Sequence, residues 1–465
     1  MSKPRRGYSS VPESVRRYKL MLKTQERTYF DLSEYEEIIE YFLERGLIEK
    51  AEDALSYAQK TYPNAKEIYL KEAQVLVEKK DFVAAENILN ELHPKMNGEA
   101  DFYFLYGYMY AVKEEFEKAD LFFTKFIKLS SNPNKADAYS SVAFVYVQTG
   151  DYDTALKYLK SGEKHYPESS YILYDSAFCH EKVGNYNESI RYYEKYLKDH
   201  PFSANVWYNL AVVYNLNEQT EKAIEAYDFA LALDPKFLAA SINKAHTELN
   251  TGKYANALKS YESFLKYKPE SAEALSGLGD CYRFMADYDQ ATEYYRNALK
   301  ADKYFANALY GIALVYYEKE YNFEGLNFVL RALKKDKLNA SYHFLAALFF
   351  DRLNYKEKAE QSFITAVENN PFSVQVWIAF SDLFVEKETE KAIAILKEAG
   401  SLLPNGGQIY YRLAVIFYQL KQLDESEKYL QKALSDEPAY LEQFLEEHPG
   451  IVQNEKLRKL IDTFI

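Results

Sequence analysis

The chain has 465 residues, of which 48% are hydrophobic and 27% charged, and its formal net charge is −13. This is the balance of a folded protein, and the length exceeds one ordinary globular domain, so several domains or an extended repeat are expected. With only 16 Gly, 13 Pro and 2 Cys, the composition excludes a large turn-dense β protein and a disulfide framework, and it predicts a helical, cytoplasmic protein.

The N-terminal segment 1–31 is basic, although the rest of the chain is acidic. Residues 1–27 carry eight Lys or Arg against two Glu, a net charge of +6, so the remainder carries −19 to reach the total of −13. No apolar run follows the basic residues, so the segment does not resemble an export signal. The asymmetry predicts a flexible arm that meets an anionic partner, RNA or a membrane surface, or that folds back onto the acidic remainder. Its candidate contact residues are Arg5, Arg6, Arg16, Arg17, Lys19 and Lys23.

A period of 34 residues runs through most of the chain. Proline recurs at this interval, at Pro133, Pro167, Pro201, Pro235 and Pro269. Two parallel series of small residues, to which Ala211 and Ala223 belong, recur at nearly the same interval. Small residues in this pattern predict two helices in each period, because packed helices approach most closely where their side chains are smallest.

Within one period, two stripes of residues have helical spacing. The first consists of Trp207, Leu210, Ala211 and Tyr214, and the second of Ala223, Tyr227, Ala230 and Leu231. Between the two helices of other periods stands a Gly, such as Gly150 or Gly184, which suits the left-handed residue just past a helix end. The proline then ends the second helix.

These stripes, followed by Pro235, resemble the tetratricopeptide repeat at nearly every position of its motif. The resemblance covers about twelve repeats over residues 32–440, and the composition is similar to that of bacterial proteins of this type. It implies an all-α fold, a right-handed superhelical solenoid of antiparallel helix pairs. The segment 441–465 predicts helices that cap the open end of the solenoid.

The sequence contains none of the familiar motifs of catalysis. Its seven His are scattered, and it has no H-E-x-x-H, no phosphate-binding glycine loop and no G-x-S-x-G. Its carboxylates fall beside Lys on the outward faces of the predicted helices, which is typical of a solvated surface. We therefore expect no enzymatic activity, no cofactor, no metal site and no small-molecule substrate.

In tetratricopeptide proteins the first helix of each repeat lines a concave groove, where the family usually binds a peptide or helix of a partner protein. The groove-facing positions of the third to sixth repeats are mostly aromatic. Exposed aromatic side chains in a concavity favour partner anchoring, and packing between neighbouring repeats is the alternative. The candidate partner-binding residues are Phe104, Tyr108, Phe144, Tyr171, Tyr174, Phe178 and Tyr208.

The sequence therefore predicts a non-enzymatic scaffold or adaptor that holds a partner segment in its groove. The alternative is an accessory factor of the ribosome, of RNA or of a membrane surface that docks through the basic arm. Salt separates the two, because contacts with phosphates weaken at about 0.5 M salt and contacts in an aromatic groove persist.

Overall fold

The computed structural model describes residues 11–26, 28–131, 135–403 and 406–464. All regular secondary structure in these ranges is helical. The chain divides into two compact units, Met1–Pro235 and Lys236–Ile465. The sequence carries no sign of this division, because the 34-residue period continues through it.

The first unit is built from consecutive helices that pack as pairs, from α2 with α3 to α12 with α13. We refer to the even-numbered member of each pair as the first helix and to the odd-numbered member as the second helix. The helices of this unit are α1 (Glu13–Thr24), α2 (Leu32–Leu43), α3 (Ile48–Thr61), α4 (Lys66–Glu78), α5 (Phe82–Met96), α6 (Ala100–Val112), α7 (Phe116–Leu129), α8 (Lys135–Gln148), α9 (Tyr152–Glu163), α10 (Ser170–Lys182), α11 (Tyr186–Asp199), α12 (Ala204–Leu216) and α13 (Thr220–Leu233).

The second unit repeats the same arrangement, from α14 with α15 to α24 with α25, and ends in two short helices. Its helices are α14 (Leu238–Asn250), α15 (Tyr254–Leu265), α16 (Ala272–Phe284), α17 (Tyr288–Ala301), α18 (Ala306–Glu318), α19 (Asn322–Lys335), α20 (Ala340–Arg352), α21 (Lys356–Asn369), α22 (Val374–Val385), α23 (Thr389–Leu402), α24 (Gly407–Gln419), α25 (Leu423–Asp436), α26 (Leu441–Glu447) and α27 (Glu455–Asp462), with 3-10 turns at Pro438–Tyr440 and Pro449–Gln453.

The small residues lie where the two helices of a pair pack, as predicted. Ala211 of α12 and Ala223 of α13 are both fully buried. Where the series has Ser in place of Ala, the hydroxyl is satisfied inside the pair, since the Oγ of Ser189 donates to the carbonyl of Ala177 at 2.8 Å. The pair therefore closes with a short interhelical distance and no unsatisfied hydroxyl at this point.

The turn within every helix pair except α22–α23 contains a left-handed residue. Gly150 and Gly184 have φ of 81° and 77°, which confirms the role predicted for glycine. Lys80 and Glu114 adopt the same conformation at the corresponding position of other pairs, with φ of 63° and 62°. The following backbone N–H donates back into the first helix, as from Asp81 to the carbonyl of Leu76 at 2.9 Å, which ends that helix.

Residues 13–24 form a helix, whereas the sequence analysis predicted a flexible arm over 1–31. In α1 the side chains of Val15 and Tyr18 are fully buried, and the Tyr18 ring packs edge-on against Phe30 and Phe42. The arm was predicted from its charge, and the apolar face hidden among the basic residues was overlooked. The helix therefore covers apolar surface of the first helix pair.

At the C-terminal end, α26 and α27 pack on the last helix pair. The ring of Phe444 lies 4.5 Å from that of Tyr411, and Leu457 and Ile461 are buried. The hydroxyl of Tyr418 donates to the carbonyl of Gly450 at 2.9 Å. These contacts cover apolar side chains at the end of the repeat, where an open helical stack would expose them.

Candidate partner-binding site

Two adjoining pockets of about 220 Å³ each open among the first helices of the first unit. The acidic pocket lies among α2, α4, α6 and α8, and the apolar pocket lies between α8 and α10. Phe144 of α8 lines both. The acidic pocket is lined chiefly by Glu40, Glu44, Glu78, Asp101, Phe104, Tyr108, Phe126 and Phe144, and the apolar pocket by Ala143, Phe144, Val147, Tyr174, Asp175, Phe178 and Cys179.

Aromatic side chains from neighbouring helices form the wall of the acidic pocket. Phe104 is 8% exposed, and its ring lies 5.0 Å from that of Phe126, so it belongs mainly to the core and presents little surface to the pocket. Tyr108 and Phe144 are half-buried. These two rings are therefore the aromatic surfaces that a ligand can contact.

A buried ion pair stands at the edge of the acidic pocket. The Lys71 ammonium lies 3.1 Å from a carboxylate oxygen of Glu40 and 3.3 Å from the side-chain oxygen of Gln74. All three side chains are nearly buried. Removal of either charge would leave its partner uncompensated in a poorly solvated place.

Two carboxylates of this pocket are shifted toward their neutral form. Burial raises the pKa of Glu78, and the hydroxyl of Tyr108, which donates to it at 2.9 Å, opposes the shift. Burial and the neighbouring Glu40 raise the pKa of Glu44. The pocket therefore holds negative charge at a free-energy penalty that a bound cation would relieve.

The apolar pocket is walled by aromatic side chains of α10. Tyr174 and Phe178 lie one helical turn apart and are half-buried. The Tyr174 ring packs 6.0 Å from that of Tyr193, and its hydroxyl accepts a hydrogen bond from Asn209 at 3.1 Å. The Tyr174 ring is thus held by Tyr193 of α11, in the same helix pair, and by Asn209 of α12, in the next pair. These contacts fix the position of the ring in the wall of the pocket.

The structure places the seven predicted residues in different surroundings. Five of them line the two pockets, namely Phe104, Tyr108, Phe144, Tyr174 and Phe178. Tyr171 is 37% exposed and lines neither pocket. Tyr208 is half-buried against Tyr227, at a ring distance of 6.0 Å, and also lines neither.

The predicted basic residues are not equivalent either. Arg5 and Arg6 lie outside the described residues. Arg16, Lys19 and Lys23 are exposed on α1. Arg17 is engaged in contacts within the protein although it stays partly exposed, since its guanidinium lies 2.5 Å from a Glu34 carboxylate oxygen and donates to the carbonyl of Tyr29 at 2.8 Å.

The acidic residues of the pocket were missed, although a signal for them existed. Glu40, Glu44, Glu78 and Asp101 occupy groove-facing positions of the first three repeats. Candidates were chosen only from the third repeat onward and only among aromatic residues, which left out Asp101 of the third repeat as well. The acidic side was therefore taken for solvated surface.

Within the described ranges, the structure contains no group of three or more His, Cys, Asp or Glu side chains arranged to hold a metal ion. Nor does any described helix combine the length and the apolar character that a membrane crossing requires. Cys179 and Cys281 are both buried.

Helix pairs of constant length that stack in sequence order, with pockets along their first helices, define a helical-repeat protein. Tetratricopeptide repeat family models match residues 204–237, residues 146–211 and 383–450, residues 242–284 and residues 272–305. These segments of the chain are therefore tetratricopeptide repeats. The number of about twelve repeats and the bacterial origin stay predictions.

Several solved structures are similar to this chain. A tetratricopeptide repeat protein from Parabacteroides merdae is 18% identical over 50% of this chain and 93% of its own, with a TM-score of 0.45. A chain of the APC/C hetero-tetramer Cut9-Hcn1 is 16% identical over 86% of this chain and 92% of its own, with a TM-score of 0.43. MamA is 22% identical over 37% and 93%, with a TM-score of 0.36. No curated protein sequence matches the chain.

Proposed function

We propose that this protein is a non-enzymatic cytoplasmic scaffold that holds a segment of a partner protein on the first helices of its first unit. The observation that carries the proposal is the pair of adjoining pockets that share Phe144. Half-exposed aromatic side chains in adjoining pockets are suited to anchor a partner segment, at about 2 kcal/mol each when fully desolvated. One extended segment or one helix of a partner can contact both pockets at once.

The test is the loss of partner capture when Phe144 is replaced by Ala. Tagged wild type, Phe144→Ala and the control Tyr69→Ala are used to capture proteins from extract of the native cell, and the captured proteins are measured by quantitative mass spectrometry. Tyr69 is a suitable control because it is an exposed aromatic residue of α4 outside both pockets. We expect a protein that wild type and Tyr69→Ala retain and Phe144→Ala loses. Equal capture by all three would contradict the proposal.

The second candidate function is docking to RNA, to the ribosome or to a membrane surface through the basic N-terminal segment. The exposure of Arg16, Lys19 and Lys23 on one helix favours it, because three cations near each other can contact phosphates. The triple variant Arg16→Gln/Lys19→Gln/Lys23→Gln separates the candidates. The basic segment is favoured over the pockets if the triple variant loses the partner, if wild type loses the partner at about 0.5 M salt, and if Phe144→Ala still captures it.

A further inference from the structure

The acidic pocket is strongly one-sided in charge. Four carboxylates line it, those of Glu40, Glu44, Glu78 and Asp101, and none of its described lining residues is Lys, Arg or His. Two cations stand beside it and are already paired: the Lys71 ammonium lies 3.1 Å from Glu40, and the Arg45 guanidinium lies 4.0 Å from a carboxylate oxygen of Glu44, which leaves four carboxylates against two cations. A ligand that enters this pocket therefore meets excess negative charge beside the rings of Tyr108 and Phe144.

The partial burial of these acids makes the charge effective. Glu78 is half-buried, and Phe104 and Val145 beside it are buried apolar residues. Coulombic attraction is several-fold stronger in such surroundings than at a fully hydrated surface. A cation with a flat face would be attracted to the carboxylates and would also stack on the aromatic rings. A guanidinium group has such a face and an ammonium group does not, so the pocket favours a guanidinium.

The same protein already contains an arginine held in this way. The guanidinium of Arg17 bonds the carboxylate of Glu34 at 2.5 Å while its central carbon lies 5.0 Å from the centre of the Phe30 ring. Arg45 lies similarly over the ring of Tyr41, at 3.8 Å. The pairing of a carboxylate with an aromatic face is therefore a geometry that these helices can support for arginine.

We propose that the acidic pocket binds an arginine side chain of the partner segment, beside the rings of Tyr108 and Phe144 and among the carboxylates of Glu44 and Glu78. This inference rests on the proposed function and gives the partner its chemistry. The adjoining apolar pocket, walled by Tyr174 and Phe178, takes a large apolar side chain of the same segment. The partner is thus a basic segment in which arginine is followed or preceded by an apolar residue.

The probe is a fluorescein-labelled peptide of Leu-Arg-Ala repeats, whose binding to the full chain is measured by fluorescence polarisation. Matched peptides carry citrulline, the neutral isostere of arginine, or lysine at every arginine position. We expect citrulline to lower the affinity by about tenfold or more and lysine to lower it less, because the charged, bidentate hydrogen bonds are lost with citrulline. Equal binding of the arginine and citrulline peptides would overturn the inference.

A matched pair of protein variants separates the pocket from the overall negative charge. Glu44→Gln/Glu78→Gln removes two charges from the pocket, and Glu91→Gln/Glu117→Gln removes two exposed charges from second helices outside it. We expect about a tenfold loss of affinity for the first variant and less than twofold for the second, because only the first removes the contacts. Equal losses would mean long-range attraction alone and would overturn the inference.

Two further full-length variants identify the occupant. In Arg5→Gln/Arg6→Gln, a tenfold gain in peptide affinity would show that the chain's own N-terminal residues compete for the pocket, and it would overturn the proposal that a partner is the occupant. Unchanged peptide affinity would support a partner as the occupant. In Phe144→Ala, loss of peptide binding together with full binding by Glu44→Gln/Glu78→Gln would retain the two-pocket scaffold and reject arginine. Unchanged binding by both variants would reject both proposals.

Discussion

Replacement of Gly279 by Ala tests how tightly the small-residue positions are packed. A Cβ at Gly279 would lie 2.6 Å from Cδ1 and from Cε1 of Tyr295, where ordinary contacts begin at 3.4 Å. Tyr295 is fully buried, and its hydroxyl donates to Asp280 at 2.7 Å, so the ring has little room to move by the roughly 0.8 Å that relief requires. Overpacking of this kind costs about 2 kcal/mol, and the helix preference of Ala over Gly returns about 1 kcal/mol. We expect a net local destabilisation of about 1 kcal/mol.

The assay is native-state hydrogen exchange of the amides in α16–α18, because a repeat array does not unfold as a single two-state unit. Gly98→Ala is the control, since a Cβ there has nothing within 4 Å, and we expect a change within about 0.5 kcal/mol. In the double variant Gly279→Ala/Tyr295→Leu the two effects should not be additive, because the clash is absent. An increase in the protection of α16 in Gly279→Ala would refute the reasoning, since helix preference would then outweigh packing.

Three further predictions concern the first unit. Lys71→Met should lower the local opening free energy of α2 and α4 by about 3 kcal/mol in native-state hydrogen exchange, because the carboxylate of Glu40 is left buried without its cation, and Lys71→Met/Glu40→Gln should recover most of the loss. Burial raises the pKa of Glu78 in the folded state, so this residue favours folding below pH 4.5, the ordinary Glu value, and the contribution is lost as pH rises through the raised pKa. Glu78→Gln removes the cost of burying the charged form. It should therefore raise the melting temperature more at pH 7 than at pH 4 in calorimetric scans. Glu114→Gly should raise the local opening free energy of α6 and α7 by about 0.5 kcal/mol in native-state hydrogen exchange, since the φ of Glu114 is 62°, and no stabilisation would contradict a strained turn.

The helical repeat could be predicted from the sequence because its signals are local and recur. The small residues and the turn glycines each occupy the position that the 34-residue period assigns to them, and Ala211 and Gly150 adopt the predicted burial and φ. Turns such as that of Lys80 carry no comparable signal, because the helix-ending hydrogen bond forms with any residue that tolerates a positive φ. Helix α1 was not predicted for a related reason, since the net charge of a segment says nothing about its apolar face, on which Val15 and Tyr18 are buried.

The candidate site was only partly predictable, because aromatic content does not distinguish a ligand-facing ring from a core ring. Phe104 and Phe144 occupy groove positions in the sequence, but only Phe144 keeps a half-exposed face, and the difference depends on the contact of Phe104 with Phe126 across a helix pair. Tyr171 and Tyr208 also fit the period, but they line neither of the two pockets described above.

Several tyrosines support carboxylates of this acidic chain. Of its 45 Tyr, at least seven donate a hydroxyl hydrogen bond to a carboxylate of another helix, including Tyr108, Tyr110, Tyr146, Tyr158, Tyr192, Tyr214 and Tyr295. Asp120, for example, accepts from Tyr146 at 2.5 Å and from Tyr158 at 2.7 Å. A neutral donor satisfies a carboxylate without cancelling its charge, unlike Lys or Arg. Because Tyr108 supports Glu78 in this way, the carboxylate can stay half-buried and still attract a cation from a partner.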